Sequence, residues 1–209
     1  MPSPKYERAI LILKGHFSIE GHTHSDYILL YDSETIPVLN KMLRDERCEI
    51  HWKKALNAMG FIVSVDPNAL SVEQALNNAK YIENKYKEEQ NANRMFSLRN
   101  AYSAIAYTGA PEALDYLKKK ASKSGKSDLE MMTKSSAIQA LSKFPGNNGI
   151  KYLEELLKTS ENTVTKQLVE EYLYSRKTNL KLAERRNRAW RIRIGEVPHP
   201  LFNNNQSKK

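Results

Sequence analysis

The residues whose types and spacing could do chemistry lie near the two ends of the chain. His22-x-His24-x-Asp26 sets two imidazoles and a carboxylate within a few positions. Such a group can begin a divalent-metal cradle, because neutral imidazole and carboxylate oxygen both bind zinc well. A closed site needs more ligands, and the other histidines are His16, His51 and His199, scattered along the chain. A polar surface loop next to Gly21 accounts for the run equally well and is the reading expected for it. Gly125-Lys126-Ser127 has the last three residues of a phosphate-binding loop. Lys120 stands where that loop needs its first glycine, and the segment before it reads as helix rather than strand, so the match is rejected. There is no His-Glu dipeptide and no serine or cysteine nucleophile motif. A non-enzymatic protein without cofactor or metal is therefore expected.

The C-terminal end carries a different chemistry. Residues 1–175 hold 23 Lys and Arg against 22 Asp and Glu, whereas residues 176–209 hold 10 against 2. The body is almost neutral and the basicity sits in the tail. Lys177, Lys181, Arg185 and Arg188 recur on one helical face. Beyond them Arg191 and Arg193 alternate with Trp190, Ile192 and Ile194. Cations in a row can neutralise successive phosphates, and an indole can stack on a base. The same groups fit an acidic groove on a protein partner.

These residues must be positioned by a body that reads as helix. Ser33 or Asp32 can cap a first helix carrying Ile36, Leu39 and Leu43, with Pro37 in its first turn, where a missing N–H costs little. Arg44-Asp45-Glu46-Arg47 marks a turn. Cys48, Trp52, Ala55 and Met59 then make one face of a second helix, which Gly60 is expected to stop. Ala55-Leu56-Asn57-Ala58-Met59 returns as Ala101-Tyr102-Ser103-Ala104-Ile105 and again as Ala137-Ile138-Gln139-Ala140-Leu141. The element after each of the last two copies keeps the same offset: Ala113-Leu114-Asp115-Tyr116-Leu117 matches Gly149-Ile150-Lys151-Tyr152-Leu153. A period of that size marks stacked helical hairpins. Paired alanines let the inner helix of each hairpin approach its neighbour closely.

The repeat resembles the HEAT and armadillo type: Thr35-Ile36-Pro37-Val38-Leu39 as an outer helix, a charged turn, and an Ala-rich inner helix ending at Gly60. The resemblance runs from about Ser33 to Ser175. Asp45 and Lys53 partly match the family's inter-helix ladder, which the later units do not keep. The resemblance implies an all-α, right-handed α-solenoid of about four hairpins, and nothing about activity. His22-x-His24-x-Asp26 resembles the first half of the metallo-β-lactamase signature, with Tyr27 where the last histidine should stand.

Three segments are expected: a cap over 1–31, the repeats over 32–175 and the basic tail over 176–209. No apolar run approaches the roughly 18 residues of a membrane span. The single cysteine, Cys48, has no internal partner and suits a reducing compartment, so a cytoplasmic location is expected. Of the eleven tyrosines, those on predicted helices (Tyr81, Tyr86, Tyr102, Tyr107, Tyr116, Tyr152, Tyr172 and Tyr174) are expected to fill seams with their hydroxyls in water, rather than to line a binding face. The leading function is a protein-interaction scaffold. Its inner-helix surface around Lys54, Asn57, Arg99, Ser103, Lys134 and Gln139 would be concave, and the tail a second anchor. Nucleic-acid binding through the tail is the alternative, with a HEAT-like DNA glycosylase a remote third.

Overall fold

The computed structural model describes residues 35–175. Among them every regular element is helical and none is a strand. Helix α1 (Thr35–Arg44) takes Pro37 in its first turn and buries Ile36, Leu39, Met42 and Leu43. A 3-10 helix over Glu46–His51 follows. Asp45 opens it: its carboxylate accepts from the Arg47 N–H and pairs with the Arg47 guanidinium at 2.7 Å. Helix α2 (Trp52–Val65) begins with a fully buried indole. Trp52 Nε1 donates to the Met42 carbonyl at 3.1 Å, so one bond closes the hairpin and satisfies a carbonyl at the end of α1.

The expected stop at Gly60 is corrected by the structure. Helix α2 runs through it to Val65. Gly60 is buried where a fourth helix crosses, and a Cβ there would stand 3.7 Å from the Ala104 backbone nitrogen. Continuing the helix buries Ile62 and Val63, which a stop at Gly60 would have left without a framework.

Two more hairpins follow. Helix α3 (Val72–Glu88) is capped by Ser71, whose hydroxyl accepts from the Gln74 N–H. Helix α4 (Ala92–Tyr107) is capped by Asn91 and stops at Gly109, whose φ of +65° suits only glycine at low cost. Helix α5 (Pro111–Ala121) starts on a proline, and α6 (Asp128–Lys143) is capped by Ser127. Helix α7 (Asn148–Thr159) and helix α8 over 163–175 complete the described residues.

The repeated alanine pairs fall on α2, α4 and α6, and these three pack side by side in that order. Against them lie α1 on α2, α3 on α4, and α5 and α7 on α6. Helices α2, α4 and α6 thus form one layer and α1, α3, α5 and α7 a second. The core runs between the layers: Leu39, Trp52, Leu56, Met59, Ile82, Leu98, Ile105, Leu117, Ile138 and Leu141 are all sealed from solvent. No helix among the described residues is long and apolar enough to cross a membrane.

Polar groups tie the hairpins together. Arg94 at the start of α4 grips Glu49 with two nitrogens, at 2.6 and 2.9 Å, and donates to the Lys85 carbonyl at 2.6 Å. The bidentate bond from Arg94 holds the Glu49 carboxyl below the usual carboxylate range. Tyr81, Tyr86, Tyr102, Tyr116 and Tyr152 pack against the core, whereas Tyr174 is exposed, and several of the packed hydroxyls are bonded inside the protein rather than left in water. Tyr102 and Tyr116 both donate to Glu83, and Tyr152 donates to the Lys118 carbonyl at 3.2 Å.

Candidate functional site

Extending the alanine register along α2, α4 and α6, and back into the 3-10 helix that precedes α2, gives four rows. The first row is Ile50, Phe96 and Met132. The second is Lys53, Arg99 and Ser135, the third Asn57, Ser103 and Gln139, and the fourth Phe61, Tyr107 and Lys143. Contacts across the helices agree with that register. Asn100 Nδ2 donates to the Lys53 carbonyl at 2.6 Å, and Lys143 Nζ donates to Ser103 Oγ at 2.9 Å.

The first two rows are unusual for a protein surface. Ile50, on the 3-10 helix just before α2, is 68% exposed, and Phe96 in the first turns of α4 is 43% exposed. Met132 beside them is half-buried. The cations of the next row lean over the aromatic ring. Lys53 Nζ lies 5.9 Å and the Arg99 guanidinium carbon 5.8 Å from the Phe96 centroid. Neither cation makes an ion pair with any described residue, and Arg99 Nε is buried without a hydrogen-bond partner among them. Helices α2 and α4 hold four cations, Lys53, Lys54, Arg94 and Arg99, and no carboxylate at all. Arg94 is neutralised by Glu49 and Glu89. Partial burial, and then the neighbouring Lys53 charge, lowers the Lys54 ammonium from its ordinary value.

Four of the six expected face residues lie in these rows: Asn57 exposed, Ser103 buried, and Arg99 and Gln139 half-buried. Lys54 lies one position off the second row and is half-buried. Lys134 is elsewhere. It holds the register position of the fully buried Trp52 and Leu98, is itself only 6% exposed, and runs past Gly125 towards the α5–α6 loop. Burial alone lowers its ammonium pKa. The tail residues Lys177, Lys181, Arg185, Arg188, Trp190, Arg191 and Arg193 lie outside the described residues, as do the 1–31 segment, His22, His24 and Asp26.

Sequence reasoning passed over Ile50, Phe96, Met132 and Lys53 as face residues. The signal was present: carrying the alanine register one to two turns back from Ala55, Ala101 and Ala137 reaches all four. Two other polar sites are closed by their own partners. Between α1 and α3 a groove of about 440 Å³ is lined by Asn40, Lys41, Arg44, Gln74, Asn77 and Asn78. Arg44 donates to Asn78 at 3.0 Å and covers the Tyr81 ring, and Asn78 donates to Asn40 at 2.6 Å. At the second site Glu83 accepts from Tyr102, Tyr116 and Lys120 in the seam of α3, α4 and α5. Among the described residues no group of three or more His, Cys, Asp or Glu could hold a metal.

The described residues define a class, an all-α helical protein, with cationic and apolar side chains side by side on one face of α2 and α4. No protein-family model matches the chain, and no curated protein matches it.

Proposed function

We propose that the chain is a non-enzymatic docking scaffold. In this reading its hairpins form a right-handed, HEAT-like solenoid, and its even-helix face is the concave surface that receives an anionic protein partner. The observation that carries it is the pair Lys53 and Arg99. Two adjacent helices bring cations without an ion-pair partner among the described residues over a half-exposed aromatic ring, and neither helix supplies a carboxylate. Charge left without a partner inside a protein's own surface fits an opposite charge brought by another molecule. The buried thiol of Cys48 fits a reducing, cytoplasmic setting.

Nucleic-acid binding through the basic tail remains the second reading, on the strength of its 10 Lys and Arg against 2 acids. The test is titration of the full chain with polyglutamate at two salt concentrations. Lys53→Glu with Arg99→Glu should weaken binding at least about fivefold, whereas Lys80→Glu with Lys151→Glu on the opposite layer should leave it unchanged. Equal losses in both double variants would mean that only net charge matters, and the docking reading would fall.

A further inference from the structure

We infer that the partner this face fits is an acidic amphipathic helix lying across α2, α4 and α6. Its apolar side chains would meet Ile50, Phe96 and Met132, and its carboxylates would meet Lys53 and Arg99. This rests on the docking reading and adds to it the conformation and pattern of the partner.

Three observations lead there. The first is the order of the rows. An apolar row runs beside a cationic row, so the complementary surface has an apolar stripe beside an acidic one. That is the pattern of an amphipathic acidic segment.

The second is spacing. Packed helices lie about 8–10 Å apart, so one apolar contact is offered at about that interval. In a helix, residues seven apart share a face and are separated by about 10.5 Å. One apolar residue per heptad therefore meets in turn Ile50 on the 3-10 helix that leads into α2, Phe96 on α4 and Met132 on α6. In a strand, residues three apart cover about 10 Å but point to opposite faces, and residues two apart cover only about 7 Å. The extended form cannot place three side chains on these three helices in register.

The third is the state of the ring. Lys53 and Arg99 both stand over Phe96, and its neighbours in the row, Ile50 and Met132, have no aromatic face. A single-stranded nucleic acid binds through open aromatic platforms on which successive bases stack. This row offers apolar edges and cation-covered rings instead, which suits aliphatic side chains.

The test uses the full chain and fluorescence anisotropy with three labelled probes. One is an 18-residue helical peptide with leucine once per heptad and glutamate in the adjacent helical row. The second is the same composition scrambled, and the third is a single-stranded DNA oligonucleotide of matched charge. Each is titrated against the wild type, Phe96→Ser and Arg99→Glu, with thermal melts to establish that the variants fold. The heptad peptide should bind at least about tenfold tighter than the scrambled one, and both substitutions should remove about tenfold, as expected for a central aromatic and arginine anchor. Equal affinity for the two peptides, or no effect of Phe96→Ser, would overturn the inference while leaving the docking reading intact if Arg99→Glu still weakens binding. Tighter DNA binding that depends on Arg99 would overturn it in favour of nucleic acid. Indifference of every probe to Arg99→Glu would overturn the inference and the docking reading together.

Discussion

Glu83 is a carboxylate only 7% exposed, in a seam where an unpaired charge would be costly. Burial pushes its carboxyl up, but the hydrogen bonds from Lys120, Tyr102 and Tyr116 outweigh burial and hold it below its ordinary value. In return, burial and the Glu83 carboxylate push the Tyr102 and Tyr116 hydroxyls far up, so both stay protonated donors. The sign of the pH effect follows. A carboxyl depressed in the folded state stabilises fully above its unfolded value of about 4.3 and loses that contribution as pH falls through the folded value. Glu83→Gln strands Lys120, which pairs with Glu83 at 2.5 Å, and should cost about 3 kcal/mol at pH 7. Urea unfolding of both proteins at pH 7 and pH 3 checks this. The gap between them should narrow at the lower pH, and a constant gap would show that the charge of Glu83 contributes nothing. None of this was legible in sequence. Tyr116 and Lys120 share a face of α5 four residues apart, but Glu83 and Tyr102 come from two other helices, and no spacing rule connects the three.

At the scale of elements, glycine at two helix contacts separates two kinds of close approach. Gly60 lies inside α2, and a Cβ there would meet Ala104 and Tyr107 at ordinary van der Waals distances of 3.7 Å and more. Alanine favours a helix over glycine by about 1 kcal/mol, so Gly60→Ala should raise the melting temperature. Gly149 opens α7 against the end of α6, and a Cβ there would stand 2.3 Å from the Leu141 carbonyl oxygen and 2.8 Å from Phe144 Cβ. Gly149→Ala should therefore destabilise by about 1–3 kcal/mol, since backbone must shift to admit it. Thermal melts of the two variants should move in opposite directions. The helices themselves were readable from the sequence. Alanine pairs located α2, α4 and α6, and Pro37, Gly109 and Pro145-Gly146 marked ends that the structure keeps. Their binding face was not readable from periodicity. Apolar and small residues are spread around α4 and α6, because neighbours on both sides and the second layer cover most of each cylinder. The narrow strip left uncovered shows when the three helices are placed in register.

The whole molecule carries two cationic features, and they answer to different physics. Residues 1–175 are nearly neutral, yet α2 and α4 gather four cations and no carboxylate beside apolar side chains. Residues 176–209 hold a high density of positive charge with few acids. The first feature can discriminate by shape, because removing Ile50 and Phe96 from water contributes at any salt concentration. The second attracts any polyanion, with an affinity that falls steeply as salt rises. Truncation at residue 175 and Arg99→Glu should therefore separate the two. With the acidic heptad peptide, truncation should change affinity by less than about threefold, whereas Arg99→Glu should remove about tenfold. With single-stranded DNA the ranking should invert, and most of the affinity should disappear with the tail. The double variant should show the sum of the two free-energy changes, since groups without shared contacts act independently. A loss on truncation that matches the loss from Arg99→Glu for the peptide, with a double variant no worse than either, would mean that the tail and the even face hold one ligand jointly. The chain would then be a bivalent clamp, its affinity set by the effective concentration of one site at the other.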